Sequence, residues 1–427
     1  LGAKLLKSNL VDKIKEKEID YWDFKNVTAS GMHKISAYPA TMVPDMQYEL
    51  IKLIKSEDSS ITNILDPFHG SGTTLVEGEK NNLFPIGIDI NPLANLITKV
   101  KLQGVNKIYI YIANNRIEKF LKSNSFEFDK HYFYNIEKWY RKDFIITFSK
   151  IRSAIQREKY RYVRQYYWVC LINILKKYSN TRSSTFKLHI KEQSAIEKME
   201  NHIVEDFIKS INEYSQYLPD YNRSKKIDLK IGKSEDILFG MKSDSVDLIV
   251  TSPPYGDNST TVTYGQYSML PIYWIDRKDL EVFSENLIDN YSSIDSNSLG
   301  GSGKRNKQKH QSHYLSDYLE SISQDKRKKV ENFVIDYLEV MMQMGRVLKK
   351  DKRIVLTLGD RRVDNKVVPL SSITQEFFEN IGFELEASIT RNIPIKRMPR
   401  RVSKVKDKSV ESMNQEYVLI LRKIKEI

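Results

Sequence analysis

The first expectations for this chain come from where apolar residues cluster and where they alternate with polar ones. "ITNILD" at 61–66 has the short apolar run of a strand, and glycine-rich "PFHGSG" follows it. Next comes "TTLVEGEKNN", where Thr73 and Thr74 suit the start of a helix. "PIGIDI" at 85–90 predicts a second strand and runs into "NPLANLITKV", where Asn91 can cap a helix and Pro92 can occupy its first turn. Such a strand–helix–strand–helix series predicts a parallel sheet with helices on both faces. Further strands are predicted at "IDLKIG" (227–232), "SVDLIV" (245–250), "RIVLTLG" (353–359), "FELEASITR" (383–391) and "EYVLILRK" (416–423), with "VENFVIDYLEVMMQMGRVLKK" as a helix ahead of the fifth.

From about 104 to 225 the strand pattern gives way to helical periodicity rich in Tyr, Lys and Arg. Ile190, Ile196, Met199, Ile203, Phe207, Ile208 and Ile211 recur at helical spacing and predict one apolar helix face. The chain is therefore expected to divide into 1–103, a helical insertion at 104–225, and a resumed α/β part at 226–427. Within the last part, "YSSIDSNSLGGSGKRNKQKHQSH" is polar, Gly/Ser-rich and basic, which predicts a mobile loop over about 276–330.

Composition narrows the classes of function. No run approaches the roughly 18 apolar residues that span a bilayer, so membrane insertion is not expected. The charged opening "LGAKLLKSNLVDKIKEKEID" does not read as a secretory signal, which makes a cytoplasmic location the default expectation. The single cysteine, Cys170 in "YYWVCLINIL", excludes an internal disulfide and reads as a buried structural thiol. The seven histidines show no HExxH or paired spacing, and no metal site is expected. Lys plus Arg exceed Asp plus Glu by 68 − 55 = 13, a surplus that favours a polyanionic partner through phosphate neutralisation and counterion release.

Two stretches carry the chemistry. "DPFHGSGTT", Asp66 to Thr74, sets Gly70 and Gly72 between a strand and a helix, where missing side chains let a ligand approach the backbone and the helix N-terminus. It lacks the Lys-Ser/Thr pair of a P-loop, which argues against nucleotide hydrolysis. Asp89, at the end of the next strand, can accept bonds from ribose hydroxyls; it can equally serve as a helix-capping carboxylate beside Asn91. The second stretch, "VDLIVTSPPYG", runs a buried strand into Pro253 and Pro254, which stiffen the chain and remove N–H donors. Both stretches fall at carboxyl ends of predicted parallel strands, where open α/β sheets bind ligands.

Together, "DPFHGSGTT" and "TSPPY" resemble the S-adenosylmethionine-dependent DNA amino-methyltransferases, which methylate cytosine N4 or adenine N6. "GMHKISAYPATMVPDMQYELI" is similar to the segment that closes over the methionine part of the cofactor in that family. The resemblance covers roughly 30–100 and 227–425. It implies a doubly wound, seven-stranded, Rossmann-like sheet with a large helical insertion, with S-adenosylmethionine as cofactor. It implies cofactor contacts from Asp66, Phe68, Gly70, Gly72, Tyr38 and Pro39, ribose contact from Asp89, and adenine contact from Asp236 or the adjacent Glu235. The catalytic tetrapeptide maps onto Ser252, Pro253, Pro254 and Tyr255, with Tyr255 as a stacking face for a flipped base.

Ser in the first catalytic position leans toward cytosine N4. Adenine N6, an RNA substrate and a non-catalytic DNA-binding subunit are the alternatives. The implied partners are double-stranded DNA and a cognate restriction endonuclease. Target reading is expected from 104–225 or 276–330, and "YSNTRSSTFKLH" (178–189) and "YGDNSTTVTYGQYS" (255–268) carry side chains able to touch phosphates or base edges. The segment 391–408 holds eight Lys/Arg and one Asp, so Arg391, Lys396, Arg397, Arg400, Arg401 and Lys404 are expected to contact phosphates beside the sixth and seventh strands.

Overall fold

The computed structural model describes residues 9–18, 20–25, 27–182, 187–222, 224–256, 262–290, 292–301, 310–359, 361–393, 401–405, 408–411 and 415–427; for 401–405 and 408–411 it describes the backbone alone. Each predicted strand is present: β1 (Asn63–Asp66), β2 (Phe84–Asp89), β3 (Asp228–Ile231), β4 (Val246–Thr251), β5 (Leu348–Leu358), β6 (Phe383–Asn392) and β7 (Gln415–Lys423). They form one seven-stranded sheet in the order β3-β2-β1-β4-β5-β7-β6. β1 to β5 pair in parallel, whereas β7 runs antiparallel to both β5 and β6. A parallel return needs a long crossover, usually a helix. The β6–β7 connection instead contains an antiparallel hairpin, 401–405 with 408–411, so β7 comes back against β6.

The strand order reverses at β1 and β4, which pair with Leu65 opposite Ile249. This neighbouring of strands brings two motifs far apart in sequence to one edge. Helix α1 (Pro44–Glu57) covers one face of the sheet through Leu50, Ile51 and Ile54. The other face is covered by α10 (Gln324–Val347) and α11 (Leu370–Asn380), through Val334, Tyr337, Met341, Ile373 and Phe377. Helices α2 (Thr73–Lys80) and α3 (Pro92–Gln103) follow β1 and β2; Asn91 caps α3 by accepting from Leu93 N–H, with Pro92 in its first turn.

The insertion is helical, with α4 (Lys107–Lys122), α5 (Lys142–Gln156), α6 (Arg161–Lys177) and α7 (Ile203–Tyr217). It has no separate core: Phe144, Phe148, Trp168 and Phe207 share one apolar cluster with Leu93 and Ile97 of α3. The same cluster takes in Trp274 of α9 (Tyr264–Trp274). Asp279, wholly buried, locks this junction by accepting three charge-assisted contacts from Arg164 Nε and Nη2 and one from Trp168 Nε1, at 2.8–3.1 Å. Cys170 is buried inside α6, where burial pushes its thiol pKa up.

Two expectations change. The apolar face over 190–211 is not one helix: α7 buries Ile203, Phe207 and Ile211, but the chain breaks at 198–202 and Ile190 is 42% exposed. The segment 276–330 is also more structured than its polar composition suggests, because short helices at Asn286–Asp289, Ser292–Ser296 and His313–Ser321 bury Leu287, Ile294 and Leu315. Widely spaced single apolar residues anchor it, and average composition conceals them. Residues 302–309, the most basic part of that stretch, lie outside the described residues. Among the described residues no helix is long and apolar enough to cross a membrane.

Candidate active site

At the carboxyl edge of β1, β2 and β4 a cleft of about 880 Å³, its open mouth included, collects residues from the 38–42 segment, the glycine-rich turn, the end of β2 and the tetrapeptide after β4. Its floor is the turn after β1. Asp66, fully buried, accepts from Phe68 N–H at 3.0 Å and from Thr251 Oγ1 at 2.6 Å, which ties the turn to the end of β4. Gly70 and Gly72 take positive φ of 49° and 79°. At Gly72 a Cβ would stand 2.6 Å from Thr98 Cγ2, so both conformation and space demand glycine. Phe68, Gly70, Ser71 and Thr73 line the cleft, whereas Asp66 and Gly72 shape the turn from behind.

Asp89 is on the cleft wall. One of its carboxylate oxygens accepts from Gly70 N–H and the other from Asn91 N–H, each at 2.8 Å. Because Asn91 caps α3, Asp89 is not the helix cap. A carboxylate has about four lone-pair sites, so capacity remains for hydroxyl donors. Beside it, Tyr38 accepts a bond from Asn91 Nδ2 at 2.9 Å and stacks on Tyr264 with ring centroids 5.9 Å apart. Residues 38–42, Tyr38 and Pro39 included, line the same cleft.

The next wall comes from α8 (Ser234–Gly240), whose Ser234 Oγ donates to Pro67 O at 2.6 Å. Here the structure corrects one expectation: Glu235 lines the cleft, and Asp236, one residue on, is exposed to solvent away from it. Helical geometry turns successive side chains about 100° apart, so only one of the pair can face the ligand.

Ser252 and Pro254 reach the cleft directly from the end of β4. Pro253 is buried beside them. Tyr255 differs from its expected place as a stacking wall: its ring packs against the core, and its hydroxyl lies 2.9 Å from Ser252 Oγ and 3.4 Å from Glu416 Oε1. Burial and the nearby Glu416 carboxylate push its phenol well above the usual tyrosine range. Tyr264 and the Ile294–Leu299 segment, which sequence reasoning missed, complete the lining. Nothing local marks them, since they reach the cleft only through tertiary packing.

The basic segment is only partly described. Lys396, Arg397 and Arg400 lie outside the described residues, and Arg401 and Lys404 belong to the backbone of the 401–405 strand. Arg391 is a correction: its side chain is buried, pairs with Glu416 at 2.5 Å and donates to Asp23 O at 3.2 Å. A buried, paired guanidinium is not available to phosphate. The hairpin itself leaves the sheet between Asn392 and Gln415, which pair with each other. Two residues into β7, Tyr417 pairs with Leu358 at the end of β5, so the hairpin sits at the edge that carries Ser252.

Taken as chemistry, the cleft offers a carboxylate with spare acceptor capacity, apolar walls from Phe68 and Ile90, and backbone approach at Gly70. These features fit a nucleoside carrying a short polar tail, with Ser252 facing the same space. Residues 4–100 match the model of a DNA methylase family (N6_N4_Mtase). The chain is 28% identical over 457 aligned positions, 97% of each chain, to the Type II methyltransferase M.MvaI of Kocuria varians. It is 32% identical over 156 positions to the Type II methyltransferase M.MjaII of Methanocaldococcus jannaschii, covering 35% of this chain and 27% of that one. A Thermus thermophilus structure described as a DNA modification methylase, in complex with S-adenosyl-L-methionine, aligns at 18% identity over 45% of this chain and 54% of that one. The TM-score of that alignment is 0.22.

Proposed function

We propose that this chain, whose residues 4–100 match a DNA methylase family model and which is 28% identical to a Type II methyltransferase over 97% of its length, transfers a methyl group from S-adenosylmethionine to the exocyclic amine of a flipped-out DNA base, cytosine N4 in preference to adenine N6. One observation carries the reading: Asp89 and Ser252 line the same cleft, so a nucleoside-binding carboxylate and an amine-facing hydroxyl serve one reaction volume. When bound, the cofactor supplies an electrophilic methyl on a sulfonium. Asp89 holds its ribose hydroxyls, Glu235 faces its adenine, and Phe68 with residues 38–42 encloses the remainder.

An exocyclic amine is a poor nucleophile because its lone pair is delocalised into the ring. Ser252 Oγ and the Pro253 carbonyl accept its N–H bonds and draw it toward a geometry in which that pair is available. The flanking prolines hold the carbonyl without reorganisation, so the acceptors are set before the base arrives. Extruding the base costs a few kcal/mol, returned in part by stacking on aromatic or apolar walls. Tyr264, which lines the cleft together with Ser252, is the proposed aromatic wall for that contact. The preference for cytosine rests on a neutral hydroxyl at position 252.

Residues 104–225, tied to the Asp279 segment through Arg164 and Trp168, and the 276–330 segment are the proposed readers of target sequence. The hairpin region supplies phosphate contacts. Pairing with a cognate restriction endonuclease in the cytoplasm completes the proposal. The test is incubation of the purified protein with methyl-labelled S-adenosylmethionine and, separately, mixed-sequence DNA, RNA and protein acceptors. Label is expected in DNA, and label confined to RNA or protein overturns the reading.

A further inference from the structure

We propose that Glu416, at the start of β7, is a positioning residue that fixes the polarity of the Ser252 hydroxyl by way of Tyr255. The inference rests on the methylation reading above and concerns the same site. Ser252 Oγ and Tyr255 Oη are 2.9 Å apart, and from that pair alone either oxygen could donate. The direction is decided one step further out. Glu416 Oε1 is 3.4 Å from Tyr255 Oη, and its other oxygen is held by Arg391 Nη1 at 2.5 Å. A carboxylate in an arginine pair only accepts, so the Tyr255 hydrogen goes to Glu416. The Tyr255 oxygen then accepts the Ser252 hydrogen, and both Ser252 lone pairs are left facing the cleft.

That polarity is what the amine needs. A serine whose own hydrogen pointed into the cleft would compete with the base N–H groups instead of receiving them. The support is rigid: Arg391 is 3% exposed and also donates to Asp23 O, while Asn392 N–H donates to Asp23 Oδ1 at 2.7 Å. Arg391 and Glu416 face each other across the β6–β7 ladder. The 3.4 Å step is long for a hydrogen bond; such contacts commonly tighten only once substrate is bound.

The variant Glu416→Gln reverses the chain. Arg391 retains the amide oxygen, the amide N–H₂ turns to Tyr255, Tyr255 donates to Ser252, and the Ser252 hydrogen enters the cleft. Single-turnover methyl transfer to DNA should fall about 10- to 100-fold, the scale of misdirecting one preorganised group. The S-adenosylmethionine dissociation constant should stay within about twofold of wild type. The discriminating readout is a double-mutant cycle: in a Tyr255→Phe background, where the link is already cut, Glu416→Gln should cost less than about twofold. Should Glu416→Gln lower the Tm, the single-turnover rates of all members of the cycle are read at a temperature well below every transition, with the same expectation. Full activity of Glu416→Gln, or an equal loss with and without the Tyr255 hydroxyl, overturns the assignment while leaving DNA methylation by the wild type standing. Absence of methyl transfer by the wild type overturns the methylation reading, and this inference with it.

Discussion

Ser252 and Asp89 share a cleft, and the proposed division between an amine-facing hydroxyl and a cofactor-facing carboxylate predicts that their variants separate. Ser252→Ala is expected to lower the methyl-transfer rate by roughly 10²-fold or more with little change in cofactor affinity. Asp89→Ala should weaken cofactor binding at least tenfold, the loss of about 1.4 kcal/mol or more expected when a carboxylate no longer meets hydroxyl donors. Equilibrium binding and single-turnover rates on the same preparations check the split. At Tyr255, stacking alone would leave Tyr255→Phe nearly as active as wild type, whereas its hydroxyl contact with Ser252 predicts a measurable loss. The sequence placed the tetrapeptide at a strand end, but not the contact of Tyr255 with Glu416, which lies 161 residues further along the chain. Burial pushes the Asp66 carboxyl up to about 7, so at mildly acid pH the folded chain keeps a proton that the unfolded chain releases. Stability from this group is fully present below about pH 4 and is lost as pH rises through about 7. Asp66→Asn, which keeps an oxygen for Thr251 and Phe68 N–H, should flatten that slope and raise stability at pH 8 by on the order of 1–3 kcal/mol, measured by urea unfolding at pH 5 and pH 8.

Among elements, the turn between β1 and α2 has the narrowest tolerance. Gly72→Ala forces a side chain into φ of 79° and against Thr98, which should cost about 1–3 kcal/mol of stability and weaken cofactor binding along with it. A thermal melt with and without S-adenosylmethionine measures both. Strands were the most legible elements because β1, β2 and β4 are short apolar runs bounded by turn residues, a signal that survives without tertiary knowledge. Direction was less legible: β7 has the same apolar character as its neighbours, and its antiparallel return goes with the hairpin of 401–405 and 408–411 in the β6–β7 connection. The 190–211 periodicity misled for a related reason, since Ile190 keeps the helical spacing but lies beyond a chain break at 198–202. The choice between Glu235 and Asp236 depended on the phase of a single helical turn, which sequence spacing does not give.

At the scale of the whole molecule, charge and topology point to the same edge. The surplus of 13 positive charges is dense in 391–408, and the hairpin in that segment leaves the sheet where β4 delivers Ser252. With Arg391 committed to Glu416, neutralising Lys396, Arg397, Arg400 and Lys404 together should weaken binding to all DNA sequences alike. The log–log salt slope should become shallower by roughly 3 to 4, at about 0.9 per phosphate contact. An unchanged slope would mark the segment as a solvated surface, and a changed methylation sequence would show that it reads bases. The basic segment was visible in composition, but the buried fate of Arg391 was not, because its partner sits across a strand pairing. The most direct test of the whole account is the chemical identity of the product: DNA methylated by the wild-type protein, digested to nucleosides and resolved by mass and retention. The account predicts N4-methylcytosine, absent when Ser252→Ala replaces the wild type. A methyl group on a ring carbon, as in 5-methylcytosine, would contradict it.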